Sequence, residues 1–475
     1  MTLYRAQVID TPNDPFRGGA LRYDGDAGLL VDNGRIVERD AFAELRSRHP
    51  EAQVVELSAG ILLPGLVDTH VHFPQVRVIG ALGMPLLEWL ERCALPEEAR
   101  TAEVGYARAV AAEFVSALLG AGTTTALVFG SHFAPAVDAL FQAAAGYGLR
   151  ITSGLVVGDR MLRPELHTSA QRSYDEGRAL AQRWHGVGRS RYTVTPRFAL
   201  SCSDELLAAC GQLHRDVAGS WITAHLNENL DEVATVRQLS GADTYLDCYG
   251  RHGLVGRHSV FAHNVHPADT ELKLLAEASA SVAHCPTSNA ALGSGLFPLD
   301  RHLAYGVHVA LGSDVGAGTG FSLFKEGLQA YLMQRLRGAE GVPLTATHLL
   351  HLATTAGAQA LGLRDQIGDL GVAQRFDAIW IRPRSGTPLA IGMRHSNGPE
   401  EALAKVFALA TPHDLAQVWI DGVPVAGRVG RALPSHPRTR LQPWTRQSGE
   451  RTRRAEGGGR RRRLRRPGID GGLNR

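Results

Sequence analysis

The stretch Pro64-Gly65-Leu66-Val67-Asp68-Thr69-His70-Val71-His72-Phe73-Pro74-Gln75 completes an apolar run that begins at Ala59. The run reads as a buried strand whose C-terminal end turns polar. Alternate side chains of a strand share one face, so His70 and His72 point the same way. Two imidazoles at one strand end can share a metal ion. Imidazole suits both zinc and iron, and the pair alone does not choose between them.

Around this stretch, short apolar runs alternate with longer helical ones. Strands are predicted at 62–69, 124–129, 151–157, 192–200, 221–225, 259–263, 280–284 and 307–312. Between them lie Ala-rich amphipathic segments such as 104–119 and 271–277. Eight strands with helical crossovers over about 300 residues predict a (β/α)8 barrel of the TIM type, an α/β fold. An open doubly wound sheet is the rival, but no G-x-G-x-x-G follows an early strand. Residues 1–63 read as short strands, with Asp32-Asn33-Gly34 as a hairpin turn and one helix over 40–49. Strands return at 376–381 and 417–425. The two chain ends are therefore expected to build a small β-sandwich. The expected domains are 1–63 and 367–430 as its two halves, 64–366 as the barrel, and 431–475 as a basic, disordered tail.

The 475 residues carry a net charge of +3. From Arg446 onward, eleven arginines face Glu450, Glu456 and Asp470, a surplus of eight that leaves residues 1–445 at −5. The body thus offers no basic footprint for nucleic acid. The tail, with Gly457-Gly458-Gly459 before Arg460 to Arg463, is too polar to fold alone. A role for it on an anionic surface is the lesser alternative to a solvated tail. The five cysteines are scattered and form no C-x-x-C, which favours reduced thiols in a cytoplasmic protein. No apolar run reaches membrane-spanning length, and Met1 to Phe16 lacks the apolar region of a signal peptide.

In such a barrel, functional side chains sit at the C-terminal strand ends. His70 and His72 end the first strand, His225 follows 221–224, His263 follows 259–262, and Asp314 follows 307–312. His70, His72, His225 and Asp314 make a ligand set for one catalytic metal with a position kept open for water. Glu228, three residues beyond His225, is placed to face the cavity without ligating. It becomes a proton shuttle if burial raises its pKa. A two-metal site bridged by a lysine carbamate is not expected, because the first lysine of the chain is Lys273.

These residues resemble the amidohydrolase superfamily, and within it the guanine deaminases, over about 60–425. The shared motifs are the stretch quoted above, Leu86-Leu87-Glu88-Trp89-Leu90, Gly122-Thr123-Thr124-Thr125-Ala126, and Thr195-Pro196-Arg197-Phe198-Ala199-Leu200-Ser201-Cys202-Ser203. They continue with His225-Leu226-Asn227-Glu228-Asn229, His284-Cys285-Pro286-Thr287-Ser288-Asn289 and Gly312-Ser313-Asp314-Val315-Gly316. The resemblance implies metal ligands at His70, His72, His225 and Asp314, an acid/base at Glu228, and His263 beside the attacking water. It implies substrate contacts from Gln75, Arg197 and Phe198. It also implies one Zn2+ per chain with Fe2+ as the alternative, hydrolysis of guanine to xanthine and ammonia in purine breakdown or salvage, and a homodimer. Three positions depart from the usual pattern: Ala224, Ser313 and Ala317. Related purine, pterin or triazine hydrolases of the same superfamily are the rival reading. A cytidine-deaminase fold would require H-x-E with P-C-x-x-C, and the second half of that signature is absent.

Overall fold

Both ends of the chain feed one sheet, and the middle feeds another. The computed structural model describes residues 1–427. The strands before the barrel are β1 (Thr2–Asp10), β2 (Arg22–Asp32), β3 (Arg35–Ala41) and β4 (Gln53–Pro64). The barrel strands are β5 (Leu66–His72), β6 (Thr123–Phe129), β7 (Arg150–Gly154), the two-residue β8 (Val156–Val157), β9 (Ser190–Pro196), β10 (Trp221–Leu226), β11 (Ser259–His263), β12 (Ser281–His284) and β13 (His308–Leu311). The last three are β14 (Ala378–Ile381), β15 (Leu415–Ile420) and β16 (Val423–Ala426).

The end strands form a seven-stranded sheet in the order β16-β15-β14-β4-β1-β2-β3. It closes on its own apolar core, where Tyr4 stacks on Phe376 at 4.3 Å and Trp419 meets both rings edge-on. Buried Asp10 ties the two chain ends: it accepts from Arg39 at 2.8 Å and from the Leu370 amide at 2.8 Å. The hairpin at Asp32-Asn33-Gly34 pairs β2 with β3 as its turn chemistry requires.

The barrel strands are parallel and run in sequence order from β5 to β13, with β8 as a side pairing to β9. Closure between first and last strands is made by Thr69 Oγ1, which donates to the Leu311 carbonyl at 2.7 Å, and by the Asp314 amide, which donates to the His70 carbonyl at 2.9 Å. One end of the barrel is plugged by apolar packing: Val67, Trp221 and Val260 meet Ala358, Leu361, Leu363 and Ile367. Burying each such large side chain stabilises by about 1.5–3 kcal/mol. The other end, where the strands finish, is left for polar groups.

The expected strand 62–69 is in fact two strands in two sheets. Leu62 and Leu63 pair with Trp380 and Ile379 in β14, whereas Leu66 onward pairs with β6. The handover is Gly65, whose amide donates to the Asp377 carbonyl at 2.9 Å. A Cβ on Gly65 would lie 2.2 Å from Thr124 Oγ1, so only glycine permits this close approach. The run 192–200 also shortens. β9 stops at Pro196, and a 3-10 turn follows at Ala199–Ser201. Two helices, Pro388–Arg394 and Pro399–Leu409, stand inside the expected second half of the small domain. Leu403, Val406 and Phe407 join the main core, where Phe407 meets Phe324 edge-on at 5.3 Å. The expected basic tail, 431–475, lies outside the described residues.

Candidate metal centre and its cavity

Period-two geometry at the end of β5 turns His70 and His72 inward together, and both are buried. Their Nε2 atoms are 3.2 Å apart, and His72 Nε2 is also 3.2 Å from His225 Nε2, delivered by β10. Asp314 Oδ1 lies 3.3 Å from Nε2 of both His70 and His72. The ligand-type atoms of His70, His72, His225 and Asp314 all fall within 4.8 Å of one another. Ligands about 2.0–2.1 Å from a tetrahedral ion sit roughly 3.3–3.4 Å from each other. The observed spacings match that edge, so the donor set fits one small divalent cation. A second grouping, His70, His263, Cys285 and Asp314, reuses two of these residues and cannot be filled independently. Lys273 is exposed, 3.8 Å from Glu277, so it bridges nothing here.

The surroundings hold these groups in ligating form. Burial pushes His72 down to about 4 and His225 well below the ordinary histidine value. Neutral imidazole is the form that binds metal. Burial opposes ionisation of Asp314, but hydrogen bonds from His70 and His72 overcome it and hold the carboxyl well below the usual range. The His225 tautomer is set by the Arg197 backbone carbonyl, 2.6 Å from Nδ1, which leaves Nε2 for a ligand. Asp68 braces the opposite side. It accepts from the His70 amide at 3.1 Å, from the Ser313 amide at 3.0 Å and from the Ser313 hydroxyl. Serine in place of the usual threonine therefore still supplies the hydroxyl that fixes the turn before Asp314.

Beside the cluster, His263 ends β11 with a left-handed backbone, φ 70°. Its Nδ1 lies 3.0 Å from Asn289 Oδ1, so Nδ1 carries the proton. Its Nε2 faces Asp314 Oδ2 at 3.7 Å and Glu228 Oε2 at 3.5 Å. Glu228 accepts from Ser294 Oγ at 3.3 Å. Burial, with the Asp314 charge second, pushes its carboxyl up to about 8. A raised carboxyl is the condition under which Glu228 can shuttle a proton.

His72, His225, Glu228, His263 and Asp314 line one cavity. Gln75, Arg197 and Phe198 line it too, so all nine residues singled out from the sequence gather at one strand-end rim. Leu86, Trp89, Leu90 and Leu292 add an apolar wall. Of the L-L-E-W-L motif, Leu87 and Glu88 turn away: Leu87 is exposed, and Glu88 pairs with Arg92 at 2.5 Å. The sequence reading missed Glu98. Its Oε2 accepts from Arg197 Nη1 at 2.6 Å, and its Oε1 accepts from Gln75 Nε2 at 2.6 Å. It also missed Asn289 and Asp68, although both lie inside quoted motifs.

Comparison with known proteins agrees with this geometry. The amidohydrolase family profile matches residues 61–425. A probable guanine deaminase of Deinococcus radiodurans is 56% identical over 439 residues, covering 91% of this chain and all of that one. The structure of Escherichia coli guanine deaminase superposes with a TM-score of 0.87 at 37% identity, covering 90% of this chain and all of that chain. Guanine deaminase from C. acetobutylicum, solved with guanine in its active site, gives 0.83 at 26% identity over 89% of this chain and 99% of that one. Motif, barrel, ligand set and relatives converge, and the chain belongs to the amidohydrolase family, on its guanine deaminase branch.

Proposed function

We propose that the chain hydrolyses guanine to xanthine and ammonia with one divalent metal at His70, His72, His225 and Asp314. Zinc is the proposed ion and iron the alternative. The observation that carries the reading is the shared cavity. An imidazole–carboxylate cluster and the buried Glu228 carboxyl share one cavity with a guanidinium, an amide and a phenyl ring. A metal held by these four ligands would lower the pKa of a water toward neutrality.

Arg197 and Gln75 offer N–H donors suited to the C6 carbonyl and a neighbouring ring acceptor. Phe198 packs on the ring face. That pose sets C2, which bears the exocyclic amine, toward the cluster. Asp314 and His263 orient the attacking water and take its proton. Glu228 donates to N3 as the oxygen adds to C2, so no charge builds on the ring. A second proton transfer to the amine lets ammonia leave, and C2 becomes the carbonyl of xanthine. Water and guanine thus account for every atom of the products.

The homodimer, the cytoplasmic setting and the place in purine breakdown belong to the same proposal and rest on the family resemblance. Among the described residues, no helix is long and apolar enough to cross a membrane. The test is xanthine formation by the purified, metal-loaded protein with guanine and adenine side by side. Xanthine from guanine supports the reading, and equal turnover of adenine would overturn it.

A further inference from the structure

We infer that Glu98 is a positioning residue for recognition: it neutralises Arg197 and locks the Gln75 amide, so this wall accepts a neutral lactam and disfavours an anion. The inference rests on the guanine reading and deepens it.

Glu98 belongs to the short helix Leu95–Ala99 and is 2% exposed. It does not line the cavity and sits behind the residues that do. Its carboxylate is divided between two partners, with Arg197 Nη1 at 2.6 Å on Oε2 and Gln75 Nε2 at 2.6 Å on Oε1. His132 Nε2 is 3.4 Å from Oε2, and burial pushes that imidazole down, toward its neutral form. Burial alone would raise the Glu98 carboxyl, but the Arg197 charge and His132 hold it well below the usual range. The recognition wall is therefore one guanidinium and one carboxylate, net neutral.

Two consequences follow from this wiring. First, the orientation of Gln75 is dictated. Its Nε2 must face the acceptor-only carboxylate, while its Oε1 accepts from the Gly316 amide at 3.0 Å. What remains for a ligand is chiefly donors, the second amide N–H and the unused guanidinium N–H groups, beside one lone pair on Gln75 Oε1. The wall thus asks for acceptors on an uncharged edge, which a lactam carbonyl beside a ring nitrogen provides. Second, an unpaired buried arginine would be an anion receptor. With Glu98 in place, an anion gains little from Arg197 and is repelled by the carboxylate behind it. A Cβ on Gly316 would lie 2.4 Å from the Gln75 backbone carbonyl oxygen, so the close approach that lets its amide fix the Gln75 side chain depends on that glycine.

The test compares metal-loaded wild type, E98Q and E98D for guanine kinetics, metal content and inhibition by urate, a purine monoanion at neutral pH. E98Q keeps the shape, removes the charge and presents its NH2 to one of two donors. KM for guanine is expected to rise roughly ten- to a hundredfold, with kcat changed less than KM and metal content unchanged. Inhibition by urate is expected to strengthen at least threefold. E98D keeps the charge on a shorter stem, so KM rises while urate inhibition stays as in wild type. Should E98Q not be recovered folded, E98D alone decides: wild-type KM in that variant overturns the lock on Gln75. Wild-type KM or unchanged urate inhibition in E98Q overturns the inference, as does loss of metal and melting temperature with KM unmoved. A wild type that forms no xanthine withdraws the guanine reading and this inference with it, whereas an active wild type with an indifferent E98Q withdraws only the inference.

Discussion

The backbone carbonyl of Arg197 accepts a hydrogen bond from His225 Nδ1 at 2.6 Å. One residue therefore serves both halves of the site. Its side chain reaches toward the recognition wall, and its main chain fixes the tautomer of a metal ligand. A side-chain substitution at 197 leaves the carbonyl in place, so the two roles separate experimentally.

The metal centre is expected to hold about one divalent ion per chain, as a mononuclear site requires. Elemental analysis of the purified protein checks this. His225→Ala should lose metal and turnover together. Chelation should lower the melting temperature, since an ion at a hundredfold its dissociation constant adds about 2.7 kcal/mol to stability. Two tightly held ions per chain, or full turnover after chelation, would sink the assignment.

Glu228 is expected to act as the proton donor, because burial and Asp314 push it up to about 8. Only the protonated form donates, so kcat should fall as pH rises through that value. Glu228→Gln should lower kcat roughly 100- to 10,000-fold while metal content is retained. A variant with wild-type kcat would remove Glu228 from the mechanism.

Two other buried acids give a stability prediction. Glu232 is pushed up to about 7 by burial and by Glu228, and it caps the turn through the Glu228 and Asn229 amides at 3.2 Å each. Glu326, held by the Thr287 amide at 3.0 Å and hydroxyl at 2.7 Å, is pushed up to about 8 by burial. Folded values raised above the unfolded one mean stability that is fully present below about 4.3 and is lost as pH rises through the folded values. The melting temperature should therefore decline between about pH 4.3 and 8 and level off above that. Glu326→Gln, a neutral isostere, should flatten that decline. An unchanged slope in the variant would show that Glu326 does not titrate in this range.

Much of this architecture was readable in the chain, and the failures have physical causes. The His70 and His72 pair was legible because strand period alone puts both on one face. The end of β4 was not. Ile61 to Val67 is apolar on both sides of Pro64-Gly65, since the strands on either side are buried. The helices Pro388–Arg394 and Pro399–Leu409 did carry a signal, a proline at the first turn and Glu400-Glu401 after the second. Glu98 carried none. Glu97-Glu98 looks like any pair of acids in a first helical turn, and its partner Arg197 lies 99 residues away in sequence.

Arg197 itself supplies the last prediction. Lysine keeps a charge for Glu98 but loses the planar fork, so Arg197→Lys should not restore guanine turnover. Losing a charged hydrogen bond to substrate costs about 1.5–3 kcal/mol, roughly ten- to a hundred-and-fifty-fold in kcat/KM. Arg197→Ala should lose at least as much activity and also stability. It strands the buried Glu98 carboxylate, and breaking one side of a buried pair costs about 3–5 kcal/mol. Metal content should survive in Arg197→Lys, because the carbonyl to His225 is untouched. Adenine, with an amine where guanine has its C6 carbonyl, should be a poor substrate for wild type, since it leaves a buried donor unpaired. Steady-state kinetics of both variants on guanine, with metal analysis and adenine as the wild-type comparison, decide the matter. Wild-type kcat/KM in Arg197→Lys would remove the fork from recognition, and metal loss in that variant would show that the side chain, and not the carbonyl alone, holds His225 in place.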